Sequence, residues 1–459
     1  MTTTGTTTTT TGERRPADEP STGAHPPSAA EPGLPAFPMR RTCPYDPPPQ
    51  YARLREEEPV ARVRLPSGQS AWVVSRYEDV RALLGDPRIS SDRSRPGYPF
   101  LSEELEYLRH VKVFVGMDPP EHGPHRRVFV PEFTAARIRR LRPAIEAYVE
   151  ECLDRMAAVH AADGVVDLVT ELALPVPTRA IGELLGVPAQ RMERFHELTA
   201  DLMHPGEASG ENTFRELVGF MRTLVAEKTA RPTPDLLGRV AGSQVASGEM
   251  PAHELTLISL LLLLAGYETT ANMISLGTLL LLREDEVRER VSADPSLMPQ
   301  VVEEMFRYLT VAELATCRTA REDIEIGGVV IRAGEGVIPL AAAADRDPAA
   351  FPDPDRFDPF RKGPRHLAFG HGPHQCLGAH LARLELEVVF TALLRRFPGL
   401  RTAVPPQEIP LRHESVLFGA DRLPVTWDAD ADADACADAD ADVPGDVVER
   451  EEAPGAGVR

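Results

Sequence analysis

The chain carries the run Phe369-Gly370-His371-Gly372-Pro373-His374-Gln375-Cys376-Leu377-Gly378 near its C-terminal end. This run places one cysteine between three glycines and the start of a periodic helix. Gly370 and Gly372 permit backbone conformations and close approaches that a side chain would block. Apolar residues recur at helical spacing from Leu377 onwards, so Cys376 is predicted at a helix N-terminus, where backbone N–H groups favour a thiolate. A thiolate on a rigid loop is a suitable soft ligand for iron.

Two other interpretations of this run remain open. A single cysteine ahead of a helix is often a small buried apolar residue. Alternatively, His371, His374, Cys376 and His380 could bind zinc, because cysteine and histidine are its usual ligands. The rest of the chain must therefore distinguish an iron site from these alternatives.

The pattern Phe-Gly-x-Gly-x-His-x-Cys-x-Gly resembles the heme-binding loop of the cytochromes P450. The resemblance implies a mainly α-helical fold with small β-sheets, in which a long central helix lies over the heme and the cysteine loop precedes a late helix. It also implies heme b as the cofactor and Cys376 as its iron ligand. Phe369, Gly370 and Gly378 would then contact the heme.

Charge and cysteine content narrow the functional classes. The 459 residues have a formal net charge of −20, and the eight Asp, three Glu and two Arg between Asp428 and Arg459 supply −9 of it. The remainder is only mildly acidic and contains no basic tract, which argues against nucleic-acid binding. The five scattered cysteines form no CxxC pair, so we expect no disulfide scaffold and a cytoplasmic location.

The ends of the chain differ in composition from its middle. Residues 1–36 are rich in Thr and Pro, and residues 428–459 alternate Asp with Ala before becoming an acidic coil. Both ends are predicted to be disordered, because they cannot bury enough apolar surface to fold. Residues 37–427 are predicted to form a single catalytic domain, and we expect a monomer.

One internal segment, from Leu255 to Leu282, is apolar and long enough to span a bilayer. Glu268 interrupts it near the middle, and its flanks carry acidic residues without a positive bias on either side. We therefore predict a buried central helix of a soluble protein, running roughly from Pro251 to Leu282.

The tract Ala265-Gly266-Tyr267-Glu268-Thr269-Thr270 lies within this helix. Gly costs about 1 kcal/mol relative to Ala inside a helix, and buried Glu is rare unless it is paired or functional. The tract suggests a local opening of the backbone hydrogen bonds, although a register-setting interruption or a helix–helix contact is equally compatible. It resembles the oxygen-binding groove of the P450 central helix. By that resemblance, Ala265 contacts the heme, Gly266 leaves room for O2, Thr269 donates a hydrogen bond to the reacting oxygen, and Glu268 relays protons through water.

The sequence Glu304-Met305-Phe306-Arg307 resembles the Glu-x-x-Arg motif of the same family. The two charged positions lie on one helical face and can pair, although an ordinary surface ion pair fits the spacing as well. The matching partner is Arg356, in Pro354-Asp355-Arg356-Phe357. The resemblance implies a buried structural network of Glu304, Arg307 and Arg356 behind the heme.

Four cationic side chains match the positions expected to hold the heme propionates: His122, Arg126, Arg318 and His366. Each alone would more often be solvated or structurally paired. Together they could neutralise two carboxylates that are otherwise costly to bury.

The resemblance further implies a monooxygenase that inserts one oxygen of O2 into a lipophilic small molecule, as in natural-product tailoring or steroid and xenobiotic oxidation. Peroxide-driven hydroxylation and oxidative coupling are the alternatives that keep the heme. Substrate contacts are expected from residues 99–115 and 203–210. The individual positions expected are Leu263, Ala265, Val311, Leu314, Val416 and Leu417.

The chain has no flavin, nicotinamide or four-cysteine iron–sulfur motif, so electrons must come from another protein. The resemblance implies a ferredoxin with its NAD(P)H-dependent reductase. We expect a basic surface near the cysteine loop to attract an acidic ferredoxin, with a generic solvated surface as the alternative. Its predicted members are Arg127, Arg361, Lys362, Arg365 and Arg383.

Overall fold

The computed structural model describes residues 1–2, 33–101, 106, 109–203, 210–412 and 417–428. Its helices are α1 (Gln50–Glu57), α2 (Tyr77–Gly85), α3 (His122–Phe129), α4 (Ala135–Ile138), α5 (Arg142–Asp163), α6 (Pro175–Leu185), α7 (Ala189–Met203), α8 (Gly210–Ala230), α9 (Leu236–Val240), α10 (Ala252–Arg283), α11 (Asp285–Ala293), α12 (Met298–Leu309), α13 (Ala341–Ala344) and α14 (Ala379–Arg396). Single turns of 3₁₀ or π helix lie at Phe114–Gly116, Val130–Phe133, Arg139–Leu141, Val169–Ala173, Ala241–Val245, Pro295–Leu297, Glu313–Thr316, Gly372–His374 and Pro406–Glu408.

The strands are short, with two to five residues each. They are β1 (Val60–Arg64), β2 (Ser70–Val74), β3 (Ile89–Ser90), β4 (Val166–Asp167), β5 (Arg318–Ala320), β6 (Ile324–Ile326), β7 (Val329–Ile331), β8 (Gly336–Pro339), β9 (Arg401–Thr402) and β10 (Pro424–Thr426). The main sheet has the order β1-β2-β8-β5-β3, with β2 and β8 parallel and the other pairs antiparallel. Two smaller sheets pair β4-β10-β9 and β6-β7.

Helix α10 is the centre of the main hydrophobic core. It packs against α6, α8, α12 and α14, and most of its residues between Thr270 and Leu281 are buried. A helix that is apolar on nearly every side is expected in the middle of a large protein. Among the described residues it is the one helix whose length and composition would suit a membrane, but most of that apolar window is buried inside the protein. The burial favours the predicted core helix.

Several elements match the sequence-based expectations closely. Strands β1 and β2, on either side of Pro66-Ser67-Gly68, pair Val60 with Val74 in an antiparallel register, and Gly68 in the turn has a φ of 81°. Helix α10 begins and ends within one residue of its predicted bounds. The two-residue strands β3, β4 and β9 were not predicted, because runs this short carry no periodic signal. The predicted tails lie almost wholly outside the described residues, so the single domain at 37–427 stays a prediction.

Candidate active site

The cysteine loop is held by its own backbone and by the end of α2. The N–H of Cys376 donates to the carbonyl of Phe369 at 2.8 Å, which closes the loop ahead of α14. Gly370 and Gly372 have φ values of 69° and 73°, a region that favours glycine. A Cβ on Gly372 would lie 2.7 Å from the carbonyl oxygen of Leu84. These glycines are therefore required by the backbone path that presents the cysteine.

The thiol of Cys376 faces an interior cavity just before the first turn of α14. Burial raises the pKa of this thiol. Hydrogen bonds from the backbone N–H groups of Gly378 and Ala379 act in the opposite direction, as do the charges of two nearby arginines, Arg126 and Arg383. The position agrees with the predicted helix N-terminus, although α14 begins two residues later than the periodicity indicated.

The cavity measures about 420 Å³ and lies between the cysteine loop and α10. Ala265, Gly266, Thr269 and Thr270 of α10 form one wall, and the loop from Ala368 to Gly378 forms the opposite one. Most of the remaining lining is apolar. It includes Phe114, Ile181, Leu261, Leu262, Val311 and Leu417.

Arg318 lines this cavity and His122 lies beside it, and neither side chain forms an ion pair within the described part of the chain. Arg318 is 9% exposed, and its guanidinium donates to the carbonyl of Cys317 at 2.8 Å. Burial lowers the pKa of Arg318. His122 is 3% exposed, and its Nε2 has no hydrogen-bond partner. An uncompensated buried cation is costly, so this edge of the cavity is built for an anionic group.

His374, which was not among the predicted propionate contacts, lies at the same edge. Its ring stacks on His122 with centroids 4.0 Å apart, and burial, together with Arg318, His122 and Arg126, lowers the pKa of His374 to about 3. Arg126 lines the cavity and donates to the backbone carbonyl of Gln375. The signal that could have found His374 is its place two residues before the cysteine, on the loop that forms the cavity wall.

His366 does not join these residues, contrary to the prediction. It is buried outside the cavity lining, and its Nε2 lies 3.2 Å from Oε1 of Glu303. Its ring lies near those of Phe306 and Phe369. Because it lies outside the cavity lining and contacts Glu303, His366 is placed to support the loop and not to meet an anion in the cavity.

The face of α10 at the cavity brings together three of the predicted residues. The hydroxyl of Thr269 donates to the carbonyl of Ala265 at 2.7 Å. A Cβ on Gly266 would make only ordinary van der Waals contact, with the nearest atom, Ile181 Cδ1, at 3.7 Å. The helix is continuous through this stretch, so the predicted local opening is wrong. The Thr269 hydroxyl is accommodated by bonding to the helix and does not interrupt it.

Glu268 lies beside this face and is not part of the cavity lining. Its Oε1 accepts a hydrogen bond from Arg412 Nη1 at 2.8 Å, and the two side chains are 18% and 16% exposed. Burial raises the pKa of Glu268, and the charge and hydrogen bond of Arg412 act in the opposite direction. Sequence reasoning did not identify Arg412, because it lies 144 positions away from Glu268.

The Glu304–Arg307 pair is buried and bidentate, with N···O distances of 2.8 and 2.7 Å. The third member of the network is Arg361, whose Nε donates to Glu304 Oε1 at 2.8 Å. Arg356 is exposed and contributes only its backbone carbonyl, which accepts from Arg307 and Arg361. The predicted role of the Arg356 side chain is therefore wrong. Arg361 is held in this network and is unavailable for the predicted docking surface.

The predicted substrate contacts divide into three groups. Ala265, Val311 and Leu417 line the cavity. Leu263 and Leu314 do not; Leu263 is fully buried in the main core, two residues and about 200° around the helix from Ala265. Leu314 packs in a separate apolar cluster. Val416 lies outside the described residues, as do parts of the predicted 99–115 and 203–210 contacts.

The described residues fit a flat iron porphyrin. A thiol stands at one wall, a helix with a small-residue face forms the other, and Arg318 with the unpaired ring nitrogen of His122 marks one edge where two carboxylates could lie. The zinc alternative receives no support from the geometry, since no group of three or more His, Cys, Asp and Glu residues in the described chain is arranged to hold a metal ion. One soft ligand beside an apolar cavity suits a heme better than zinc.

Comparison with known proteins gives a consistent result. A family model described as Cytochrome P450 matches residues 192–422. The chain is 45% identical over 396 residues to a vitamin D3 dihydroxylase of Streptomyces griseolus, and the match covers 86% of this chain and 97% of that protein. It is 41% identical to a 20-oxo-5-O-mycaminosyltylactone 23-monooxygenase of Streptomyces fradiae, with coverage of 85% and 92%.

A solved structure has the same fold. The crystal structure of cytochrome P450 MoxA from Nonomuraea recticatena superposes with a TM-score of 0.83 at 44% identity, covering 86% of this chain and 98% of that one. A mycinamicin VIII C21 methyl hydroxylase from Micromonospora griseorubida, bound to mycinamicin VIII, gives a TM-score of 0.79 at 40% identity, with coverage of 86% and 100%.

Proposed function

The chain belongs to the cytochrome P450 family and is a monooxygenase, and we propose that it hydroxylates or epoxidises a lipophilic natural product or steroid-like molecule at a bound heme b. The observation that carries the proposal is the cavity, which is apolar over most of its lining and is bounded by Cys376 on one side and Thr269 on the other. Relatives named for the oxidation of vitamin D3 and of macrolides support this class of substrate.

The proposed roles follow from where the side chains lie. Heme, when bound, supplies the oxygen-activating chemistry. Cys376 would be its iron ligand. Arg318, His122, Arg126 and His374 would bind its carboxylates at the cationic edge of the cavity. The charges of Arg318 and Arg126 and the ring N–H groups of His122 and His374 would replace the water that these carboxylates lose on burial.

The face of α10 that lines the cavity would deliver protons to the reacting oxygen. Thr269 places a hydroxyl at the cavity surface, held by Ala265, and Gly266 leaves space beside it. Glu268 lies next along the helix, partly open to solvent, and would pass protons to Thr269 through water. The apolar lining would exclude other water, so protons reach the reacting oxygen mainly by this route.

Bacterial members of this family take electrons from separate redox proteins, and a ferredoxin is the proposed donor here. Arg127, Lys362 and Arg365 are exposed and would attract an acidic partner. Arg383 is 30% exposed but pairs with Glu303, which reduces its availability. The four described cysteines are free thiols, which suits the proposed cytoplasmic location.

The test compares Glu268→Gln and Thr269→Ala with wild type, using a ferredoxin, its reductase and NADH, and vitamin D3 and a macrolide as trial substrates. Product per NADH should fall on the order of 10²-fold in either variant, because general acid catalysis of this kind contributes at least that much. Hydrogen peroxide should rise correspondingly. Thr256→Ala is the matched control, since Thr256 makes the same bond to an i−4 carbonyl of α10 outside the cavity. Unchanged product per NADH, or turnover by peroxide alone at the wild-type rate, would reject the proposal.

A further inference from the structure

A polar cluster joins the middle of α10 to the segment after β9, by which we mean the described residues 411–412 and 417–421. Arg412 donates through Nη1 to Glu268 and through Nη2 to the Oδ1 of Asn272, one helical turn further on. Its Nε lies 3.5 Å from Asp421, which is half exposed. Because Glu268 and Asn272 share one face of α10, a single guanidinium can bind both.

The backbone of this segment is fitted closely to α10. The N–H of Arg412 donates to the carbonyl of Gly419 at 2.9 Å. Leu411 and Ala420 form an isolated antiparallel β-bridge beside it. A Cβ on Gly419 would lie 2.1 Å from Asn272 Oδ1, so a larger residue there would require the Asn272 side chain or the Gly419 backbone to shift. Arg412 is therefore held in place by its own backbone as well as by its side-chain partners.

The same segment supplies part of the cavity wall. Leu417 lines the cavity, and the N–H of Phe418 donates to the carbonyl of Val311, another lining residue, at 3.3 Å. The counter-ion of Glu268 and the apolar wall thus belong to one short stretch of chain. Asn272 contacts both parts of this stretch, because its Oδ1 accepts from Arg412 and its Nδ2 donates to the carbonyl of Leu417 at 3.5 Å.

We propose that Arg412 is the positioning residue for Glu268: its charged hydrogen bond holds the orientation of the carboxylate, so that proton supply to the cavity depends on the segment carrying Leu417. This rests on the proposed function of Glu268 as a proton relay. Arg412 itself touches neither the cavity nor the reacting atoms, and it acts only through the carboxylate.

The charges around Glu268 support a measurable effect. Among the described residues, the titratable or charged groups that face it are Arg412, Asp421 beyond Arg412, and the adjacent Tyr267 hydroxyl. Burial raises the pKa of Glu268 and Arg412 opposes this rise. Removing the cation should therefore raise the pKa of the carboxyl further, leaving it neutral over a wider pH range.

The experiment uses the full chain with heme, reduced and bound to carbon monoxide. The CO stretching frequency reports the charge near the cavity and is followed against pH in wild type, Arg412→Gln, Arg412→Lys and Glu268→Gln. We expect a titration in wild type that Glu268→Gln abolishes. Arg412→Gln should move its midpoint to higher pH, and Arg412→Lys should move it back toward the wild-type midpoint. Arg401→Gln removes an exposed arginine paired with Asp428 and should have no effect.

The inference would be overturned if the CO stretching frequency of Arg412→Gln titrated with the same midpoint as wild type. It would also be overturned if the titration were still present in Glu268→Gln. The proposed function is tested separately by product per NADH and by the solvent deuterium isotope effect on turnover. If Glu268→Gln changes both but Arg412→Gln changes neither, Glu268 is a relay that Arg412 does not position. If the midpoint shifts as expected while Glu268→Gln leaves product and isotope effect unchanged, the proposed relay fails although Arg412 controls the carboxylate.

Discussion

At the scale of single residues, the cationic edge of the cavity is the clearest sign of what the site binds. Arg318 is buried with no carboxylate partner in the described chain, and His122 has an unpaired ring nitrogen nearby. A bound anion would give both side chains the hydrogen-bond partner that a buried polar group requires. The roles of these residues explain why a protein would retain them despite the cost of burying them.

Replacing Arg318 by Gln should weaken heme retention by about tenfold or more, since a hydrogen bond to a charged group contributes about 1.5–3 kcal/mol. Arg318→Lys should retain part of the affinity. The rate of heme transfer to apomyoglobin measures the effect, with Arg321→Gln, an exposed position on the turn after β5, as the control. Equal transfer rates for Arg318→Gln and wild type would show that Arg318 does not hold the heme.

The two arginines near the Glu304 network provide a second test at this scale. Arg361→Ala should lower the free energy of unfolding by about 3 kcal/mol, because it removes one partner of a buried carboxylate. Arg356→Ala should change it by less than about 0.5 kcal/mol, since the exposed side chain is replaced while the carbonyl stays. Urea unfolding followed by circular dichroism measures both free energies. A larger loss in Arg356→Ala than in Arg361→Ala would show that Arg356 is the third member of the network, as the sequence predicted.

At the scale of elements, the cysteine loop, α10 and the segment after β9 meet around one cavity. The sequence predicted the first two well, because glycines with a cysteine and a long apolar helix are local signals. Sequence-based prediction failed for residues whose contacts depend on the direction in which the side chain points. The choice between Leu262 and Leu263 depends on helical phase, and the choice between Arg356 and Arg361 depends on how an aperiodic Pro-rich stretch turns. The partnership of Glu268 with Arg412 is set by tertiary packing alone.

The close fit of Gly419 on α10 gives a prediction that changes no charge. Gly419→Ala should displace Asn272 or the segment carrying Leu417, because the added Cβ would lie 2.1 Å from Asn272 Oδ1. We expect lower product per NADH and a lower unfolding midpoint. Gly219→Ala is the control, since its Cβ would meet nothing within 4 Å and alanine favours the α8 helix. Wild-type behaviour of Gly419→Ala would show that the segment adjusts freely.

The contact between α12, the cysteine loop and α14 should depend on pH. Burial alone would raise the pKa of Glu303, but hydrogen bonds and charges from His366 and Arg383 outweigh it and lower this pKa to about 2. A lowered carboxyl pKa stabilises the folded state above the unfolded value of 4.5, and this contribution is lost as the pH falls from there toward 2.

Glu303→Gln should therefore reduce stability at about pH 6 and make its decline down to about pH 3.5 shallower than in wild type. Urea midpoints at the two pH values measure this, with the exposed Glu249→Gln as control. Parallel declines in Glu303→Gln and wild type would remove Glu303 from the acid response.

At the scale of the whole molecule, the core, the cavity and the cationic edge are consistent with one activity. The fold class and the monooxygenase activity were predictable from the sequence, because four separated motifs occur in the order that the family requires. The individual contacts of the heme and the network behind it required the structure, since they depend on which of several similar side chains turns inward. The acidic stretch from Asp428 to Arg459 contributes −9 of the net charge of −20.

The most direct test of the account is the carbon monoxide difference spectrum of the reduced full-length protein, compared with that of Cys376→Ala. The wild-type protein should show the red-shifted Soret band of a thiolate-bound heme iron, and Cys376→Ala should lose this band because no other described side chain offers a thiolate at the cavity. The same red-shifted band in Cys376→Ala, or its absence from wild type with stoichiometric zinc in place of heme, would contradict the assignment of Cys376 as the iron ligand.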